Sequence, residues 1–248
     1  MDIKDTPYIS AAVLPVCVSP RKENLFLLGM EQYAVRNKRW CEFGGRRKQS
    51  DVDCFETAAR EMCEECCHTL RVVGITHLSV ENMSKFLRDG DYVCAIVLDK
   101  LNKGQRIIFV VHMEYDIGVC NRFSIVRAAM SETMRHQRLE DEEGQWVSWW
   151  LPGILLNPHT GCCKVVGDYY EKTSIGYFTY SDLTKVVETN GILPFKRGVS
   201  STCYFRQDFV PLLRLFLPYL VSKISPPHDF VGHTEVLPWA TQFHNSTS

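Results

Sequence analysis

The sequence predicts an α+β fold arranged around a mixed sheet. Short β-type runs stand before and after isolated helical segments, and several of the links between them are hairpin-like rather than long crossovers. No internal repeat is present, so the fold is not an array of equivalent units. The 248 residues suffice for a substantial core, as one elaborated domain or two small ones.

Taken in order, Ile9 to Val18 is apolar and rich in small and branched residues. The polar turn SPRKEN and the run LFLLG follow, which together read as a hairpin. Trp40 to Phe43 is a short strand running into Gly44-Gly45. Asp53 with Glu56 three residues on matches a capping box, and Cys54 to about Cys67 holds no Gly or Pro, so a helix is expected there. Strands are expected at Arg71–Val80, Tyr92–Leu98, Arg106–Tyr115 and Gln145–Trp150, with helical character over Ser124–Leu139. Beyond Trp150 the pattern weakens. SDLTKVVETNG reads as a capped helix stopped by Asn190-Gly191, and Phe209–Val221 as a packed helix interrupted by Pro211 and Pro218.

Composition narrows the function classes. With 28 basic against 29 acidic residues there is no global basic field, so any nucleic-acid binding has to come from local patches. No apolar run approaches the roughly 18 residues of a membrane span, and the N-terminus lacks the plan of a secretion signal. An intracellular, cytoplasmic protein with no membrane partner is therefore expected. The 11 cysteines are scattered, odd in number and partly adjacent, which fits reduced thiols better than a disulfide framework. Asn82 and Asn245 match the glycosylation sequon, without consequence inside a cell.

The informative stretch is FGGRRKQSDVDCFETAAREMCEECC, residues 43–67. On a helix Glu61, Glu64 and Glu65 project toward one region, where three carboxylates repel unless something positive sits between them. Oxygen ligands of this kind suit Mg²⁺ or Mn²⁺. Taken alone, a Glu-rich helix face is ordinarily just solvated. The company points to a metal site: a strand, two glycines that let backbone approach a metal or phosphate, a loop, and Arg60 placed to orient a carboxylate.

These residues resemble the signature of the Nudix hydrolases. That signature is glycine, five residues, glutamate, seven residues, Arg-Glu, an aliphatic residue, any residue, Glu-Glu, any residue, glycine and an aliphatic residue. Gly45, Arg60-Glu61, Met62 and Glu64-Glu65 match it, and AAVLPV, LFLLG, RWCEFGG and GQWVSWW look like the family's flanks. Three departures stand out: one extra residue between Gly45 and Arg60, Asp51 in place of the first glutamate, and Cys67-His68 in place of the late glycine and aliphatic residue.

The resemblance implies a Nudix-type α/β/α sandwich around a mixed sheet over residues 8–220, strongest over 8–155 with an elaboration after it, and an irregular tail over 221–248. It also implies hydrolysis of a nucleoside diphosphate linked to another moiety, with Mg²⁺ or Mn²⁺ held by Gly45, Glu61, Glu64 and Glu65. Arg60 would orient the glutamates. One of them, or an acid of the LEDEEGQW loop such as Glu142 or Glu143, would take the water proton. Glu140 and Asp141 share that loop, which reads equally well as a solvated acidic turn.

Arg46, Arg47, Lys48 and Arg39, with Arg36 and Lys38, flank the glycines and could hold substrate or RNA phosphates, with Trp40 or Tyr33 as stacking surfaces. They read equally well as a solvated basic loop with Trp40 in the core. Cys63 and Cys66 form a C-x-x-C inside the helix, for which packing is the better reading than zinc or redox work. His112 and His136 read as structural, and Trp146, Trp149 and Trp150 as strand residues.

The expected partner is a nucleotide-type small molecule or a capped RNA. The extension beyond residue 155, with its aromatics and Lys196-Arg197, favours something larger than a bare nucleoside triphosphate. The alternative is an inactive Nudix-like module that binds a nucleotide or RNA end. The oligomeric state is open.

Overall fold

The structure, a computed structural model, describes residues 3, 7–32, 38–100, 104–136, 147–148, 153–156, 163–165, 171–194, 202–223 and 233–237. The polypeptide begins with β1 (Tyr8–Val18) and β2 (Asn24–Gln32), an antiparallel hairpin paired through Val16↔Phe26 and Cys17↔Leu25. Away from their turn the two strands diverge, and the chain returns between them as β3 (Lys38–Cys41) and β4 (Phe43–Arg46). β3 pairs with the half of β2 far from the turn through Gly29↔Cys41, and β4 with the half of β1 far from the turn through Ala12↔Gly44. Glu42 is thereby placed at the tip of a wedge inside the sheet. The expected Trp40–Phe43 strand is two strands, and the glycine pair lies within the second.

Next come α1 (Cys54–Glu65), α2 (Val80–Arg88), β5 (Cys94–Lys100), β6 (Gly104–His112) and α3 (Val119–His136). β6 lies parallel to β1 and antiparallel to β5. Three short strands follow, β7 (Val147–Ser148), β8 (Ile154–Leu156) and β9 (Cys163–Val165), forming a small antiparallel sheet of their own. Then come β10 (Lys172–Thr179), α4 (Tyr180–Glu188), the paired β11 (Ile192–Leu193) and β12 (Cys203–Tyr204), α5 (Phe209–Lys223) and β13 (His233–Leu237). The main sheet has eight strands and runs β10-β2-β1-β6-β5-β13, with β3 and β4 inserted at β2 and β1.

Alternation along the central strands sorts side chains onto two faces. Ala11, Val13, Leu27, Ile107 and Phe109 face α1, α2 and α3, while Ala12, Leu14, Leu28, Ile108 and Val110 face α4 and α5. Two apolar layers on opposite faces of one mixed sheet make a three-layer α/β/α arrangement, as expected. Near-continuous burial of β1 follows from covering both faces.

Local chemistry accounts for where the expected elements and the structure differ. Arg71–Val80, expected as a strand, makes a single bridge, Val72↔Met113, and is interrupted by Gly74 at φ +87°. Its last residue opens α2, which the Ser79 side chain caps by accepting from the Asn82 N–H at 3.1 Å. Of the expected Gln145–Trp150 strand, Val147–Ser148 is described and belongs to the small sheet. The predicted helix at 181–191 is present as α4, with a reciprocal Thr179–Asp182 capping box and a left-handed Asn190-Gly191 exit. α5 tolerates Pro211 because a first-turn N–H has no intrahelical partner, and it continues through Pro218. Within the span expected to be an irregular tail, 221–248, α5 extends to Lys223 and His233–Leu237 adds a parallel strand to β5.

Gly44 is the tightest point of the wedge. A Cβ there would lie 2.2 Å from the Ala12 Cβ and 2.6 Å from its Cα, with backbone that cannot step aside. Gly44→Ala is expected to cost at least about 1–3 kcal/mol by overpacking, read as a lower urea midpoint at unchanged m-value.

Candidate functional site

α1 carries the acidic cluster, and its start is fixed by side chains. Asp53 accepts from the Glu56 N–H at 2.9 Å, while the Glu56 carboxylate accepts from the Val52 N–H at 2.9 Å rather than from Asp53, so the predicted capping box is half formed. Arg88 of α2 donates to Asp53 at 2.9 Å and ties the two helices together.

The loop between β4 and α1 closes on Asp51. Its carboxylate accepts from the Lys48 N–H at 2.8 Å, the Thr57 hydroxyl at 2.8 Å, and Arg60 Nε and Nη2 at 3.0 and 2.9 Å. The shorter acid thus reaches both loop and helix. Burial alone would raise the Asp51 pKa, but the hydrogen bonds from Arg60, Lys48 and Thr57 hold it below the ordinary aspartate value.

The other edge of the Arg60 guanidinium donates to Glu61 at 2.7 Å and Glu64 at 3.0 Å, and Nη2 also reaches the Arg46 carbonyl at 3.1 Å. Burial disfavours the arginine's charge, yet Asp51, Glu61 and Glu64 together hold its pKa above the usual value. Glu61 is raised by burial, against the pull of Arg60. Lys48 adds an ion pair to Glu64 at 3.5 Å.

Glu61 and Glu64 lie in the wall of a cavity of about 690 Å³ together with Gly45, Arg46, Arg47 and Lys48. Gly45 is needed for closeness: a Cβ there would sit 2.5 Å from both carboxylate oxygens of Glu61. The far wall is a chain of ion pairs. Arg206 grips Asp208 with two hydrogen bonds, 2.9 and 2.7 Å, and reaches Glu31 at 3.2 Å. Arg106 bridges Asp208 and Glu42.

Glu65 is placed elsewhere, which corrects its expected place beside the other two glutamates. At about 100° of rotation per helical residue, it points a quarter turn away from Glu64, into the protein. There, 1% exposed, it accepts from the Gly44 N–H at 2.7 Å and lies 3.0 Å from the ammonium of Lys172. That ammonium is fully buried and also donates to Glu31 at 2.7 Å, the Cys41 sulfur at 3.1 Å and the Glu42 carbonyl at 3.1 Å. Burial would pull the lysine pKa down, but the Glu65 and Glu31 carboxylates hold it well above its usual value, so it stays charged. Burial pushes the Cys41 thiol up in turn, consistent with its donating to Glu31 at 3.0 Å.

The remaining candidates separate. Arg39 is not in the cavity wall and lies over the Tyr204 ring, 5.1 Å from its centroid. Trp40 is a core residue, edge-on to Phe178 at 5.0 Å. Cys63 and Cys66 are buried thiols, and burial lowers the His112 pKa. Glu140, Asp141, Glu142, Glu143, Tyr33, Arg36, Trp146, Trp149, Trp150, Lys196 and Arg197 lie outside the described residues, as does the His136 side chain.

Sequence reasoning missed Lys172, Glu31, Arg106, Arg206 and Asp208. For Lys172 one signal existed. Gly29 interrupts the apolar run Leu25–Met30 of β2, and such a glycine marks close approach by another group; here its missing side chain leaves room for the lysine stem, 2.7 Å from where a Cβ would stand.

No protein-family model and no curated protein sequence matches the chain. Solved structures with a similar arrangement include a Caenorhabditis elegans Ap4A hydrolase binary complex, 12% identical over 86% of this chain and 98% of that one, TM-score 0.40. Another is the NUDIX domain of Shewanella oneidensis NrtR complexed with ADP ribose, 8% identical over 86% and 88%, TM-score 0.39. A third is the MutT protein of Methanosarcina mazei Go1, 16% identical over 85% and 95%, TM-score 0.33. At these scores the likeness carries no functional weight, which stays with the residues themselves.

Asp51→Asn would set an amide N–H against donors already present. A loss of about 3 kcal/mol is expected at neutral pH, the scale for breaking a buried pair. Because the folded pKa of Asp51 is depressed, its contribution is complete above the ordinary aspartate value of about 3.9 and lost as pH falls through the lower folded value. The gap between wild type and variant in urea titrations should therefore be constant near neutrality and close below that range.

Proposed function

We propose that the protein is a divalent-metal-dependent pyrophosphohydrolase of the Nudix type, acting on a nucleoside diphosphate linked to a further group. The observation that carries this reading is the shared cavity wall: the Glu61 and Glu64 carboxylates against the Cβ-free face of Gly45, with Arg46, Arg47 and Lys48 beside them. Among the described residues no group of three or more His, Cys, Asp or Glu side chains is arranged to hold a metal. Two carboxylates and a backbone carbonyl nevertheless fit Mg²⁺ or Mn²⁺, which keep several waters and take further oxygens from substrate phosphates. Glu61, Glu64 and the Gly45 carbonyl would hold the ion. Bound there, it would neutralise the diphosphate and lower the pKa of a coordinated water.

The chain's own residues supply the rest. Arg60, fixed by Asp51, holds Glu61 and Glu64 in one orientation, so that little reorganisation is needed when substrate arrives. In the cavity wall, Arg46, Arg47 and Lys48 offer positive charge to the phosphates, and Lys48 pairs with Glu64 at 3.5 Å. One of these glutamates would accept the proton of an attacking water. Glu142 and Glu143 remain candidates for the same role.

A capped RNA is the larger substrate this reading admits. Tyr204, 45% exposed beneath Arg39, lies two residues from Arg206 of the cavity wall and offers a stacking and phosphate surface beside it. A second reading, a nucleotide-binding module without turnover, is favoured by the cations that already neutralise Glu61 and Glu64.

Hydrolysis of a panel of diphosphate-linked nucleotides and capped RNA, with Mn²⁺ and then chelator, separates the two readings. Metal-dependent cleavage that falls at least about a hundredfold in Glu64→Gln, with the fold retained, is the expected outcome. Ligand binding without cleavage under every condition would leave only the module.

A further inference from the structure

We propose that Lys172 is a built-in cation, its ammonium standing permanently where the acidic helix was expected to bring a metal to Glu65. Glu65 is then a positioning carboxylate and not a metal ligand. The inference rests on the reading of Glu61, Glu64 and Gly45 as the metal site, and it assigns the two sides of the helix to two different cations.

The geometry around the ammonium resembles a cation cage. The ammonium donates to three acceptors within 3.1 Å, a carboxylate from β2, the Glu42 carbonyl at the tip of the wedge and the Cys41 sulfur, and a carboxylate from α1 lies 3.0 Å away as an ion pair. Lys172 enters from the far edge of the sheet, at an irregularity where β10 changes register against β2 between Lys172 and Ser174. Such bulges re-aim side chains. The space its stem needs is reserved by Gly29, and none of its surface reaches solvent.

Each feature makes the charge hard to replace. A buried carboxylate as enclosed as Glu65 needs a counter-charge, and here that charge is covalently part of the chain, present before any metal or substrate arrives. One Glu65 oxygen accepts from the Gly44 N–H, and the other, which makes no hydrogen bond, lies 3.0 Å from the ammonium as an ion pair. The consequence is a division of labour on α1. Lys172 and Glu65 lock the helix to the glycine strand, and Glu61 and Glu64 alone face exchangeable cations. Glu31 is shared between Lys172 and Arg206, so the lock is continuous with the far wall of the cavity.

Mn²⁺ titration of the full chain by electron paramagnetic resonance, with thermal unfolding alongside, tests this. Glu64→Gln should weaken Mn²⁺ at least about tenfold. Glu65→Gln should leave Mn²⁺ affinity unchanged while lowering Tm. Lys172→Ala, which empties the cage but keeps its acids, should take up one further Mn²⁺ per chain, and Lys172→Ala/Glu65→Gln should lose it again.

Equal loss of affinity in Glu64→Gln and Glu65→Gln would overturn the proposal, as would a Lys172→Ala protein with no added Mn²⁺. If Lys172→Ala folds only with metal, a Tm restored by Mn²⁺ counts as the gain, and no restoration counts against it. A wild type that binds no Mn²⁺ would sink the Glu61–Glu64 site by itself, and the gain or its absence in Lys172→Ala would still decide the role of the lysine.

Discussion

The structure depends most on one buried charge. Moving an ammonium out of water costs several kcal/mol even after relaxation, so Lys172 is tolerable only with all of its partners in place. Those partners come from four parts of the chain: β2 through Glu31, β3 through Cys41, the wedge tip through the Glu42 carbonyl, and α1 through Glu65. Because the penalty for losing any one is large, the interaction fixes relative positions more than it adds net stability. The wedge cannot slide along β1 and β2, and α1 cannot rotate, without leaving a charge uncompensated.

A second centre, Arg60, acts on the same helix from the cavity side. It takes its anchor from Asp51 and its function from Glu61 and Glu64. Three glutamates within five residues would oppose helix formation if they were simply exposed. Here each has a defined cation, Arg60 for the first two and Lys172 for the third, so the repulsion is converted into orientation. The two cations also differ in kind. Arg60 is planar and multidentate and can hold two carboxylates while sharing them with solvent, whereas the compact ammonium of Lys172 suits a closed cage.

Much of the fold was legible in the sequence. The first hairpin, α1, the β5–β6 pair, α3 and α4 followed from alternation, capping residues and the Asn190-Gly191 stop, all of which are local signals. What was not legible is non-local. The Arg71–Val80 run has strand composition, but it pairs only through the Val72↔Met113 bridge and carries a left-handed Gly74. β10 and β13 join the sheet edges only because distant strands present unpaired backbone there. In the site, Gly45, in β4, was readable only through the signature, whereas the grouping of Arg60, Glu61 and Glu64 was readable because helix periodicity sets their spacing. Glu65 was not, since periodicity brings it near its neighbours without saying which side of the helix meets the interior. Lys172 looks in sequence like any lysine at the start of an exposed strand.

The position of the missed residues bears on what the later part of the chain does. Lys172, Arg206 and Asp208 all follow residue 155, where the similarity to a known signature fades, yet they form the cage and the far wall of the cavity. A catalytic apparatus confined to the β4–α1 segment would leave Glu65 buried without a counter-charge and Arg106 without Asp208. The elaboration is therefore not an appendage to a finished site. It supplies charges that pair with the acidic helix against the sheet, and it leaves Glu61 and Glu64, but not Glu65, in the cavity wall.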